Sequence, residues 1–186
     1  MRVTDVVISS LWVVFWIYWL AAAIGTKSAR SLSGRHAGVG ARVAVVVLIL
    51  LVLRTNVLQD HNIGVVDNPL LQGIGIGVFV LGLAVAVWAR QYLGRNWGTP
   101  MSEKVDPELV TAGPYRFVRH PIYSGLILAM IGTALAIGIY WLVAGALVAA
   151  YFVYSASVEE RTMARLFPAT YPAYKRSTKM LIPFLL

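Results

Sequence analysis

The residues able to do chemistry are gathered in two short stretches, AGPYRFVRHPIYSG (Ala112–Gly125) and VEER (Val158–Arg161). The first sets Tyr115, Arg116, Arg119, His120 and Tyr123 around Pro114 and Pro121, and the second carries adjacent carboxylates, Glu159 and Glu160. Such a set could line a cavity and bind the polar edge of a ligand. His120 is the histidine in reach of this group that could move a proton. The chain has no Cys, which excludes disulfides, thiolate metal sites and a cysteine nucleophile. His36 and His61 fall in different loops on opposite sides of the predicted spans, so no metal site is expected.

What must position these groups is a membrane bundle. Of 186 residues, 59% are hydrophobic and 13% charged, about half the charge of an ordinary soluble domain. Apolar runs near the ~20 residues needed to cross a bilayer recur along the chain. Five spans are predicted, roughly 6–24, 42–58, 70–93, 122–139 and 141–158, giving an all-α polytopic bundle with a C-terminal segment outside the membrane. Ala21-Ala22-Ala23 imitates a signal-peptide cleavage site, but Asp5 and the long aromatic run from Trp12 to Trp19 favour a retained span.

The net charge is +8, and its placement sets a topology. Lys27, Arg30, Arg35 and Arg42 follow the first span. Arg90, Arg95, Lys104, Arg116 and Arg119 lie around the loop between the third and fourth. Arg161, Arg165, Lys175, Arg176 and Lys179 follow the fifth. The loop QDHNIGVVDN has Asp60 and Asp67 and no Lys or Arg. The positive-inside rule puts the N-terminus outside and the C-terminus in the cytoplasm, as in a bacterial inner-membrane protein. The basic residues then face anionic lipid head groups, and no nucleic-acid partner is expected.

The fourth and fifth spans are joined almost directly at Gly138-Ile139-Tyr140, which forces an antiparallel hairpin. Pro121 lies 19 residues before Tyr140 and Glu159 lies 19 after, so both sit roughly 28 Å from the turn. The hairpin therefore predicts that His120, Tyr123, Glu159 and Glu160 converge at one membrane edge. Pro121 fits the first turn of a helix, where its missing N–H costs nothing, and Gly113-Pro114 supplies a turn ahead of it. Adjacent glutamates at such a boundary need partners, and Arg116 and Arg119 are candidates. The plainer expectation is two solvated carboxylates at a helix end, with Arg161 and Arg165 pairing locally. The loop from Arg90 to Tyr115 is long enough to be functional. The stretch LFPATYPAYKRSTKMLIPF is expected to lie along the membrane surface or to fold over the cluster as a lid.

The strings RQYLGRNW (Arg90–Trp97), ELVTAGPY (Glu108–Tyr115), RHPIYSG (Arg119–Gly125) and EER (Glu159–Arg161) resemble the isoprenylcysteine carboxyl methyltransferases. More broadly, they resemble the phospholipid methyltransferase superfamily. The likeness runs from about residue 83 to 184. It implies S-adenosylmethionine as methyl donor and a lipophilic or lipid-linked acceptor. It also implies a division into residues 1–69, carrying the first two spans, and a catalytic part, 70–186. Carried over residue by residue, Gly113, Pro114, Tyr115, Arg119, His120, Pro121, Tyr123, Glu159 and Glu160 would border the cofactor, and Arg119, His120 and Glu159 would serve catalysis. Members that methylate prenylcysteine place an Arg shortly before the paired acids. Here that region reads Tyr154-Ser155-Ala156-Ser157, so a different lipophilic acceptor is expected.

Two further readings compete. Sterol-reductase-type proteins share an Arg-His-Pro-x-Tyr element but use NADPH, and are larger. A non-catalytic lipid-binding protein would have lost the polar cluster. The string Gly73-Ile74-Gly75-Ile76-Gly77 lacks the preceding strand of a dinucleotide site, and Gly73 and Gly77 are expected to mark a close helix contact. Arg54 and Asn56 are expected to snorkel to the membrane interface. Trp12, Trp16 and Trp19 are expected to pack or to face lipid.

Overall fold

The helices that begin at Val3 and Pro69 start where the sequence provides a cap. Asn68 accepts the N–H groups of Leu70 at 3.0 Å and Leu71 at 3.2 Å, with Pro69 in the first turn, satisfying donors that would otherwise be orphaned. Asp5 takes the Arg2 backbone N–H at 3.1 Å and sits in a first turn, where the helix dipole favours negative charge. A computed structural model gives the fold and describes residues 2–24, 26, 29–31 and 64–183. The predicted second span, Arg35, Arg42, His36, His61, Arg54 and Asn56 lie outside the described residues.

Among the described residues the α-helices are α1 (Val3–Ala23), α2 (Pro69–Leu93), α3 (Pro121–Ala136), α4 (Trp141–Leu166) and the short α5 (Tyr171–Ser177). Among the described residues α1, α2 continued to Asn96, and α4 are long and apolar enough to cross a membrane. Their outward residues, such as Val13, Ile17, Leu81, Val143 and Val153, are exposed, as a lipid-facing surface requires. The fourth predicted span is shorter than expected. Helix α3 has 16 residues, about 24 Å, because the chain turns irregular at Ile137 and bends back at Gly138. Among the described residues one pair of strands stands beside the helices: Ala29–Ser31 pairs antiparallel with Ser102–Lys104.

Helices α1 and α2 run parallel. At one end the Arg2 guanidinium donates to the carbonyls of Val66 at 2.9 Å and Ile137 at 2.7 Å, tying α1 to the α3–α4 turn. At the other end the buried Arg90 donates to the carbonyls of Ala22 and Gly94, and its guanidinium lies 4.7 Å over the Trp97 ring. Arg90, counted above among topogenic charges, thus caps the C-terminus of α1.

The tightest seam joins α2 to α3, which run antiparallel. A side chain at Gly82 would come 2.6 Å from the Gly125 carbonyl oxygen, and one at Gly132 would overlap the Phe79 backbone. The sequence reading of Gly73 and Gly77 is corrected here. Both face open space, and Gly75, between them, meets the backbone of Leu135 and Ala136. The buried face of α2 follows Gly75, Phe79, Gly82, Ala86 and Ala89, the 3.6-residue stripe that selects one glycine of the three.

Candidate active site

The α3–α4 hairpin turns at residues 137–140 and carries Pro121 and Glu159 to the same end of the bundle. Pro121 opens α3, and the residues before it are irregular. The backbone N–H of Arg119 donates to Lys179 O at 2.8 Å and that of His120 to Met180 O at 3.1 Å. The C-terminal segment therefore pairs in parallel with Val118–His120 and folds over the hairpin mouth.

Four chain segments meet at the two acids. Glu160, 4% exposed, is paired with Arg119 Nε at 2.6 Å and Lys175 Nζ at 2.7 Å. Glu159 Oε1 accepts the Tyr123 hydroxyl at 2.6 Å and the Met101 backbone N–H at 2.8 Å. His120 is wedged between them, with Nδ1 3.6 Å from Glu159 and Nε2 3.7 Å from Glu160. Its Nε2 is buried without a hydrogen-bond partner. The His120 ring is parallel to Tyr123 at 5.5 Å, and Tyr123 stacks on Phe152 at 4.4 Å. An imidazole, a phenol and a benzyl ring thus form one column beside the carboxylates.

Arg119 also donates to the carbonyls of Lys175 and Thr178, so one guanidinium neutralises Glu160 and caps the end of α5. The Tyr174 hydroxyl donates to Tyr115 O at 2.7 Å, and Ser124 Oγ donates to Leu181 O at 2.6 Å. Burial pushes the phenols of Tyr115 and Tyr171 up and raises Tyr174 to about 12. All three stay protonated in ordinary buffers.

Of the residues named from the sequence, Arg119, His120, Tyr123, Glu159 and Glu160 come into mutual contact. Gly113, Pro114, Tyr115 and Pro121 frame them. Gly113 needs its residue type, since its φ is +59° and a Cβ would come 2.6 Å from the Tyr92 ring. Arg116 does not join the acids; its guanidinium lies 4.5 Å over Phe117. Nor does Arg165 pair locally, because it reaches Glu103 at 3.0 Å. Sequence reasoning missed Met101, Phe152, Tyr174 and Lys175. Phe152 stands two helical turns before Glu159 and was open to that argument. Met101 was not, since it contributes a backbone N–H from a left-handed conformation (φ 57°) that a non-glycine side chain disfavours.

A helical bundle with lipid-facing sides and a mixed-charge aromatic cluster at one mouth defines a membrane protein with a polar site at one end. The sequence profile described as phospholipid methyltransferase matches residues 71–170, more than half of the chain. The chain belongs to the phospholipid methyltransferase family. Such a family uses S-adenosylmethionine as methyl donor in general. Methanethiol S-methyltransferase 1 of Bradyrhizobium diazoefficiens is 37% identical over 82 residues. That alignment covers 44% of this chain and 28% of the relative's length.

Proposed function

We propose that the protein transfers a methyl group from S-adenosylmethionine to a lipophilic acceptor, with the site at the cytoplasmic face of the inner membrane. The observation carrying this reading is the contact of Arg119, His120 and Tyr123 with Glu159 and Glu160 inside the family-matched region. The residues fit the methyl donor on chemical grounds. Its ammonium and ribose diol call for carboxylates, its carboxylate for a guanidinium, and its sulfonium for aromatic faces. Glu159, Glu160, Arg119, Tyr115 and Tyr123 offer these, and the unpartnered His120 Nε2 offers a buried polar atom still to be satisfied.

When bound, the donor supplies an electrophilic methyl group. The chain's own groups hold it and exclude water. Arg119 and Lys175 keep Glu160 charged and fixed, while Tyr123 and the Met101 N–H orient Glu159. His120 Nε2 is the atom placed to accept a proton from an acceptor that must lose one. A carboxylate acceptor would need no such base. Positioning of the two reactants would carry much of the acceleration. The exposed apolar flanks of α3 and α4 favour access for the acceptor from the bilayer. The relative's name attaches a small thiol to that protein, which makes sulfur one acceptor chemistry to test here, beside the isoprenylcysteine-type reading.

The test is a titration of detergent-solubilised protein with S-adenosylhomocysteine and with NADPH, read by melting temperature. The former at 100 times its dissociation constant should stabilise by about 2.7 kcal/mol, and NADPH should do nothing. His120→Ala and Glu159→Gln should each weaken S-adenosylhomocysteine binding at least about tenfold, with expression and topology intact. Normal binding by both variants would mean the site is elsewhere, and a shift with NADPH alone would favour a reductase.

A further inference from the structure

Two hydroxyls on α4, Ser155 Oγ and Tyr151 Oη, are buried without a hydrogen-bond partner. Ser155 is 0% exposed. A helical serine in an apolar setting commonly bonds the carbonyl four residues back, as Ser157 does to Val153 at 2.9 Å. Ser155 does not. A buried hydroxyl left unpaired is destabilising, so two of them on one helix leave a place for a partner from outside the chain.

Their placement says which ligand. Tyr151, Ser155 and Glu159 are spaced i, i+4 and i+8 and share one face of α4. Tyr151 packs on the same cluster as Phe152, Tyr123, Leu126 and Ala156, and Phe152 and Tyr123 are the two rings stacked beside Glu159. The row of polar groups thus leads from the paired acids back into the apolar bundle. Helix α4 carries no charged residue from Trp141 to Val158. A carboxylate seated there would be buried without a counterion, at heavy desolvation cost. Glu159 Oε1, farther along this face, is already taken by Tyr123 and Met101.

Building on the methyltransferase reading, we propose that Ser155 and Tyr151 form the subsite for the acceptor's head group, and that this head is a neutral O–H or S–H on an apolar tail. Hydroxyls both donate and accept, which matches such a group and supplies no countercharge for an ionic one.

The experiment compares wild type, Ser155→Ala and Tyr151→Phe in lipid nanodiscs by melting temperature. The probes are hexane-1-thiol, hexan-1-ol, hexanoate, hexylamine and, separately, S-adenosylhomocysteine. Differences between wild type and variant cancel partitioning of the probe into lipid. Without probe, Ser155→Ala should melt at or above wild type, because an unpaired hydroxyl is removed. The thiol or the alcohol should stabilise wild type, with affinity falling about threefold to tenfold in each variant, while S-adenosylhomocysteine binds all three proteins equally. A lower melting temperature for Ser155→Ala would show a structural hydroxyl and overturn the subsite. So would neutral-probe binding that survives both substitutions, or tighter hydroxyl-dependent binding of hexanoate or hexylamine. If S-adenosylhomocysteine binds wild type but neither neutral probe does, the subsite alone fails. If the probes bind through the hydroxyls and S-adenosylhomocysteine does not bind, a ligand subsite stands and the methyl-transfer reading fails.

Discussion

On one side of α3, Gly125 and Gly132 face α2, whose Gly75 and Gly82 face α3, so closely that a Cβ at any of the four would run into the opposing backbone. On the other side, toward α4, the contacts are rings and charged groups: Tyr123 on Phe152, and His120 and Arg119 against the two glutamates. The first interface is all backbone proximity and dispersion, which a bilayer rewards because lipid offers no hydrophobic drive between helices. The second gives up close approach for side chains that can exchange partners with a ligand. One helix thus joins a fixed wall to an adaptable mouth, and the orphaned hydroxyls lie on the adaptable side.

The largest expected effect strikes the fixed wall. Gly132→Val should destabilise by more than about 3 kcal/mol, since the new atoms meet backbone that cannot move away. Gly77→Ala, facing open space, should change stability by no more than about 0.5 kcal/mol. Thermal melting in detergent of the two variants side by side measures the contrast, and equal losses would break it. Next comes Arg119→Ala at the mouth. It leaves Glu160, only 4% exposed, with Lys175 as its remaining cation and should cost about 2 kcal/mol together with S-adenosylhomocysteine binding. Arg119→Lys should recover part of the stability but not the contacts to α5, because an ammonium lacks the guanidinium fork.

The smallest effect is a pH dependence of the C-terminal clamp. The Tyr174 phenol is raised to about 12 in the folded protein from an ordinary value near 10. Its raised value means a stabilising contribution fully present below about pH 10 and lost as the pH climbs toward 12. Melting temperature across that range should fall more steeply for wild type than for Tyr174→Phe, which lacks the bond to Tyr115 at every pH.

Much of the mouth was legible in the chain because the α3–α4 connection is too short to allow anything but a hairpin. Once Gly138–Tyr140 turns, equal helix lengths on either side place Pro121 and Glu159 together. The seam was less legible. Three glycines at Gly73, Gly75 and Gly77 look alike in sequence, and the helix phase that buries Gly75 depends on where α2 starts and what lies against it. The length of α3 was misjudged for a related reason: Leu135 to Ile139 is apolar enough to continue the helix, yet the backbone there pairs with Gly64 and Val66 instead.

Composition and spacing were enough to establish a membrane helix bundle, a polar cluster at one mouth and four of the side chains that meet there, His120, Tyr123, Glu159 and Glu160, since each follows from local periodicity and short connections. Long-range pairing supplied the rest: the Met101 amide on Glu159, Lys175 on Glu160, and Arg90 at the end of α1. Those contacts join residues distant in the chain, whose approach depends on packing energies summed over the whole bundle.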